Sequence, residues 1–190
     1  MINHKLDRLV TERLVLRVPT IEDSAGVLAY RLSNRAHLHA WEPERSEQFY
    51  TLQAVESRLR KMASEVAEKS ALYWLVLAAG SAEVIGECSF TNIIQGPFQA
   101  CHLGFSLGSG HQGRGYMREA LEAAIPHAFE THGLHRIMAN FQPNNQRSEK
   151  LLSGLGFERE GLAKEYLKIN GQWADHVLTS LLNPARETAA

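Results

Sequence analysis

The segment Gly108-Ser109-Gly110-His111-Gln112-Gly113-Arg114-Gly115-Tyr116-Met117 constrains the fold of this chain more than any other stretch. It follows an apolar run, Cys101 to Leu107, of strand character. It precedes a helical stripe of Leu121, Ala124, Ile125, Ala128 and Phe129, with Gly133 as the stop. A strand must therefore turn into a helix through a glycine-rich corner. Glycine lets backbone come close to a ligand. The first turn of a helix carries N–H groups without intrahelical partners, and the helix dipole adds partial positive charge there. Such a corner is an anion site. A phosphate-bearing ligand is expected at Gln112, Gly113, Arg114, Gly115, Tyr116 and Met117.

The rest of the chain supplies a sheet and helices around this corner. Leu14-Val15-Leu16 is a short strand, ended by Pro19-Thr20. Thr20 and Asp23 resemble a capping box for a helix that runs to about Asn34 and buries Ala25, Leu28 and Leu32. Residues 35–50 show no period and read as a loop containing Trp41-Glu42-Pro43. Leu52, Val55, Leu59, Met62 and Val66 form one stripe on a helix over about 51–69. Then the period changes, and Leu72–Ala78, Val84–Phe90 and Cys101–Leu107 read as strands. After the corner and its helix, His135–Phe141 is a strand and Asn144-Asn145 opens a short helix ending at Gly156. Lys164–Ile169 and Gln172–Leu181 flank Asn170-Gly171, a strong hairpin signal. With a two-residue loop, Glu165 is expected directly opposite His176. The pattern implies one α/β domain with a mixed sheet.

Composition removes several function classes. Among 190 residues, 20 Lys and Arg face 21 Asp and Glu, a net charge of −1. Charge-driven nucleic-acid binding needs a basic surface, so no direct nucleic-acid binding is expected. The two cysteines, Cys88 and Cys101, cannot build a disulfide framework or a zinc pattern, and read as buried free thiols. His37 and His39, and His132 and His135, are spaced like ligands but have no acidic or Cys partner nearby, so no metal site is expected. No secretory signal and no apolar run near the ~20 residues of a membrane helix is present. The expectation is a soluble cytoplasmic protein without membrane contact.

The corner admits more than one phosphate ligand. Gly108, Gly110 and Gly113 satisfy the dinucleotide pattern, but that fold needs an acidic residue at the end of the next strand, and His135–Phe141 supplies none. A Walker loop is excluded because no Gly-Lys-Ser/Thr occurs.

The other reading is Gln112-x-x-Gly115-x-Met117, which resembles the acyl-CoA pyrophosphate loop of the GNAT N-acetyltransferases, Gln/Arg-x-x-Gly-x-Gly/Ala. Met117 departs from the last position, where a larger side chain would tighten the helix's approach to the pyrophosphate. Asn145-x-x-Ser148 with Gly156-Phe157 is similar to the family's late helix and the start of its next strand. Trp41–Pro43, Cys101–Ser106, His135–Asn140 and Asn170–His176 resemble the RimJ-type ribosomal-protein alanine N-acetyltransferases. The resemblance covers about residues 11–182, which implies one domain over that range followed by a short polar tail, 183–190. It implies a GNAT fold, with helices on both faces of the sheet. It also implies direct transfer of acetyl from acetyl-CoA to the α-amine of an N-terminal alanine, ribosomal protein S5 being the family substrate.

That chemistry assigns candidate roles. In the family, strand backbone at Phe105, Ser106 and Leu107 would hold the pantetheine and polarise the carbonyl, and Asn145 opens the late helix. Many relatives place a tyrosine acid seven residues after that Asn; here the position is Leu152, and Ser148 is the nearest replacement donor to the thiolate. An α-amine with pKa ~7.7–8.0 is partly protonated at neutral pH, so a carboxylate within reach helps. Glu165, paired with His176 in the hairpin, is one candidate. Glu42, beside Trp41, could instead anchor the cationic N-terminus, and Glu87 on a central strand is the third acid. Tyr166 stands beside Glu165 as a further acceptor-side residue. Two alternatives stay open. One is a GNAT enzyme acting on a small-molecule amine, for which a polyamine would favour a strongly acidic groove. The other is a non-catalytic acyl-CoA-binding or ribosome-assembly module. A monomer or homodimer is expected.

Overall fold

Leu72, Trp74 and Val76 join one buried cluster while the interleaved Leu75 and Leu77 join another. A strand buried on both faces must lie inside a sheet covered on both sides. The computed structural model, which describes residues 8–185, has that architecture. Its strands are β1 (Arg8–Val10), β2 (Leu14–Arg17), β3 (Leu72–Ala78), β4 (Val84–Ile94), β5 (Ala100–Leu107), β6 (Arg136–Phe141), β7 (Glu158–Ile169) and β8 (Gln172–Leu182). They form one sheet in chain order, except that β8 lies between β6 and β7. The helices are α1 (Ser24–Ser33), α2 (Arg35–Leu38), α3 (Leu52–Ala67), α4 (Tyr116–His132) and α5 (Gln146–Gly154).

On one face, Val27, Tyr30 and Leu38 of α1 and α2, with Val55 and Leu59 of α3, pack on Leu75, Leu77 and Val84. On the other, Ala120, Leu121, Ala124 and Ala128 of α4 pack on Leu14, Leu16, Trp74 and Val76. The mixed α/β sheet with helices on both faces is thus present.

All neighbouring strands are antiparallel except β5 and β6, which the α4 crossover joins. A crossover is what a parallel pair requires. That pairing covers Ala100↔Arg136, Cys101↔Ile137 and His102↔Met138 and then stops, although β5 runs on to Leu107 and β6 to Phe141. The two strands part beyond His102. The edge of β5 at Phe105, Ser106 and Leu107 thus has no β6 ladder on that side, while its other edge stays bonded to β4.

Several expectations are corrected. The buried face of α1 is Val27 and Tyr30, continuing to Asn34; Ala25 and Leu32 are exposed and Leu28 is half-buried. The segment 35–50 contains α2 and a 3-10 turn, Glu47–Tyr50, instead of being loop throughout. The hairpin follows its two-residue turn for Ile169↔Gln172, Lys168↔Trp173 and Leu167↔Ala174, and then slips to Ala163↔His176. Residues 164–166 bulge against Asp175. Glu165 sits there at φ 47°, its N–H donating to Asp175 Oδ1 at 2.9 Å. Extra residues on one strand of a pair displace everything beyond them. Glu165 therefore faces solvent and not His176. Residues 186–190 of the expected tail lie outside the described residues.

Candidate active site

The glycine corner has the shape its sequence requires. Gly113 and Gly115 take φ of 74° and 79°, in the left-handed region, and Gly115 directly precedes α4. The first-turn N–H groups of α4 emerge there without intrahelical partners. Side chains from distant elements hold the corner. Asn34 Oδ1 accepts from Ser109 N–H at 2.9 Å, and Asn34 Nδ2 donates to Tyr30 O at 2.9 Å. Gln112 is bonded to His37 Nε2 at 2.7 Å and to Arg147 through its Oε1. Arg13 Nη1 donates to Arg114 O at 3.0 Å. The Met117 side chain is buried in the core, so its bulk points away from the corner and does not crowd an anion.

A cavity of about 290 Å³ opens between α1, α3 and strands β3 to β5. Arg31, Arg58, Glu42 and Glu87 line it, with Cys88, Phe105 and Ser106. Arg31 bridges the two acids: Nη1 lies 2.6 Å from Glu42 Oε1, and Nη2 bonds Glu87. Glu87 stands opposite Ser106 in the β4–β5 register. The Tyr30 hydroxyl bonds Ser106 Oγ at 2.9 Å. Burial, and then the Glu87 charge, push the Tyr30 phenol well above its ordinary range, so it stays protonated. Burial likewise raises the Cys88 thiol, and pushes Cys101 up to about 12. Both thiols are protonated at neutral pH.

Residues 13–158 match the acetyltransferase (GNAT) domain family. The chain is 45% identical to the [ribosomal protein uS5]-alanine N-acetyltransferase of Escherichia coli K12 over 93% of its length and 91% of that protein. The solved ribosomal-protein-S5-alanine acetyltransferase from Vibrio fischeri superposes with a TM-score of 0.90 at 40% identity, covering 94% of this chain and 97% of that one. This chain is a GNAT acetyltransferase.

Mycobacterium smegmatis RimJ, solved in complex with CoA-disulfide, is a further relative of this GNAT chain. It has 28% identity and a TM-score of 0.84 over 89% of this chain and 81% of that one. Gly113 to Gly115 are exposed, α4 begins beside them, and the β5 edge opens where β6 departs.

The remaining expected residues divide into two groups. Asn145 caps α5 by accepting from Ser148 N–H at 3.1 Å, which places half-buried Ser148 in the first turn of the helix that follows β6. Glu42 and Glu87 share the cavity with Phe105 and Ser106. Trp41, Glu165, Tyr166 and His176 do not line it. The Tyr166 ring lies tilted against the His176 ring, centroids 5.6 Å apart, and its hydroxyl accepts from Asn140 Nδ2 at 3.3 Å. His176 is buried, its Nδ1 2.9 Å from Ala174 O. Among the described residues no cluster of three His, Cys, Asp or Glu side chains could hold a metal ion, and no helix is long and apolar enough to cross a membrane.

Sequence reasoning missed Arg31, Tyr30, Arg58, Asn34 and Arg13. Only α1 carried a usable signal. Val27, Tyr30, Arg31 and Asn34 share a helical face, which makes Arg31 a charge on an inward stripe.

Proposed function

We propose that this acetyltransferase transfers acetyl from acetyl-CoA to the α-amine of an N-terminal alanine on a ribosomal protein of the S5 kind. The observation that carries the reading is the E. coli relative, whose name states that acceptor and which matches nearly the whole chain at 45% identity. The cavity agrees with it. Its charged lining is two guanidiniums and two carboxylates, Arg31 and Arg58 against Glu42 and Glu87, so it is not the acidic groove a polyamine favours. Work on ribosomal proteins agrees with a cytoplasmic location. A net charge of −1 favours recognition through a specific protein contact over general attraction to RNA.

When bound, acetyl-CoA supplies the acetyl group as a thioester, whose C–S bond breaks as the new C–N bond forms. The N–H groups from Gly113 to Met117 would hold its pyrophosphate, with Gln112 and Arg114 beside them. Backbone at Phe105, Ser106 and Leu107 would hold the pantetheine arm and donate to the carbonyl oxygen. Glu87, next to Ser106 across the ladder, accepts the proton lost by the acceptor's ammonium, and Glu42 anchors that ammonium. The leaving thiolate takes up the second proton, which the nitrogen sheds as amine becomes amide, and Ser148 Oγ, the nearest donor, would hydrogen-bond the thiolate as that proton arrives. Glu165, outside the cavity, gives up the role of base to Glu87. The protonated Cys88 thiol is a poor nucleophile, which supports direct transfer over an acetyl-enzyme.

A transfer assay over peptides that differ in their first residue, with small amines as controls, tests the reading. Peptides beginning with alanine should be the preferred acceptors. Faster transfer to a small amine than to every peptide would overturn it.

A further inference from the structure

We propose that Arg31 sets the charge class of acceptor that the cavity takes, admitting one ammonium and excluding polycations. The proposal rests on the acceptor reading of this cavity. Four lining side chains carry charge, and they sum to zero only because Arg31 is among them. Without it, Glu42 and Glu87 outnumber Arg58 by one.

The arrangement makes that charge matter. The side chains of Arg31, Glu42 and Glu87 are 16%, 21% and 19% exposed, so water and salt screen them far less than surface charges. Glu42 comes from the loop after α2 and Glu87 from β4. One guanidinium on α1 joins them, which places both carboxylates around the same point of the cavity. A guanidinium stays charged at any working pH. Arg58 cannot take over the bridge in its present setting. Its Nη1 donates to Phe49 O at 3.0 Å, and its guanidinium lies 3.8 Å from the Phe49 ring centroid. A single α-ammonium enters a neutral site and shares the carboxylates with Arg31. A polyamine brings two or more positive charges against two fixed guanidiniums.

The test uses the full chain, an alanine-first peptide as acceptor, and spermidine both as alternative acceptor and as competitive inhibitor. Wild type should acetylate the peptide and be inhibited only weakly by spermidine. Arg31→Met should lower the spermidine inhibition constant about tenfold or more, and shift the kcat/KM ratio toward spermidine by a similar factor. Arg31→Lys keeps the charge and should keep the wild-type ratio. Arg31→Met combined with Glu87→Gln restores neutrality and should return spermidine inhibition toward wild type. An unchanged spermidine constant in folded Arg31→Met overturns the proposal. If that variant does not fold, Glu87→Gln alone makes the cavity net positive and should weaken spermidine inhibition, and no weakening overturns it. Should wild type acetylate no peptide at all, the acceptor reading fails; calorimetric binding of spermidine to the same variants still decides the role of Arg31.

Discussion

Arg13 shapes the glycine corner from far away in the sequence. Its Nη1 donates to Arg114 O, its Nε bonds Glu119 Oε2 at 2.6 Å, and its guanidinium covers the Tyr116 ring at 4.7 Å. Glu119, on the first turns of α4, also accepts from Thr11 Oγ1 at 2.6 Å and from Arg13 N–H at 2.8 Å. A Cβ on Gly115 would come 3.4 Å from Arg13 Nη2, so the arginine closes over the residue whose φ lets the corner turn. Arg13→Gln keeps a donor but loses the ion pair and the stacking. The Arg13 side chain is 43% exposed, so only a small part of a buried pair's energy is at stake. The expected result is a rise of about fivefold in KM for acetyl-CoA, about 1 kcal/mol, with a smaller change in kcat and in KM for the peptide. Steady-state kinetics with each substrate varied checks it. Equal changes in all three constants would show that Arg13 supports the fold in general and not the corner in particular.

Helix α1 carries the next prediction. Its entry is fixed by Asp23, whose carboxylate accepts from Thr20 N–H at 2.8 Å and pairs with Arg17 from β2. Burial works to raise the Asp23 pKa, but the bonds from Arg17 and Thr20 outweigh it and hold it below the usual carboxylate value. A carboxylate lowered in the folded state stabilises the fold above its unfolded pKa of ~3.9, and that contribution disappears as pH falls through the folded pKa. Asp23→Ala should cost about 2 kcal/mol at pH 7 in urea unfolding, and the gap from wild type should narrow below pH ~4. A gap of constant size across that range would sink the assignment. The element scale also shows what the sequence made legible. Val55 and Leu59 on α3 were readable because a 3.6 period of apolar residues meets an apolar sheet, and the corner because glycine and helix-start chemistry are local. The inward face of α1 was not. It is built from Val27, Tyr30, Arg31 and Asn34, and a hydrophobic pattern prefers Leu28 and Leu32 to a tyrosine bonded to Ser106, an arginine paired to two acids and an asparagine bonded to the corner. The expected pairing of Glu165 with His176 fails for another reason. A hairpin turn fixes only the pairs nearest to it, and nothing local announces the bulge at residues 164–166.

At the scale of the molecule, the parting of β5 and β6 divides an otherwise continuous sheet into two halves joined near the base of the opening. One half carries the corner, the cavity and β5; the other carries β6, α5 and the β7–β8 hairpin. A ligand lying along the β5 edge and reaching the start of α4 would touch the place where the ladder is missing, and binding to the folded state alone stabilises it by mass action. At a hundredfold excess over its Kd, acetyl-CoA should add about 2.7 kcal/mol, and a domain of this size gains ~2–4 °C in Tm per kcal/mol. A rise of roughly 5–11 °C is therefore expected by thermal unfolding. Acetyl-pantetheine at the same concentration keeps the thioester and the arm but has no phosphate. If the N–H groups of the corner are the anion site, its shift should be much smaller, because it lacks the phosphates those groups would hold. Equal shifts would mean that the β5 edge does the binding, and would remove the corner from the account. The overall charge of −1 gives no hint of this contrast, because backbone N–H groups at a helix start attract an anion without adding to a count of Lys and Arg.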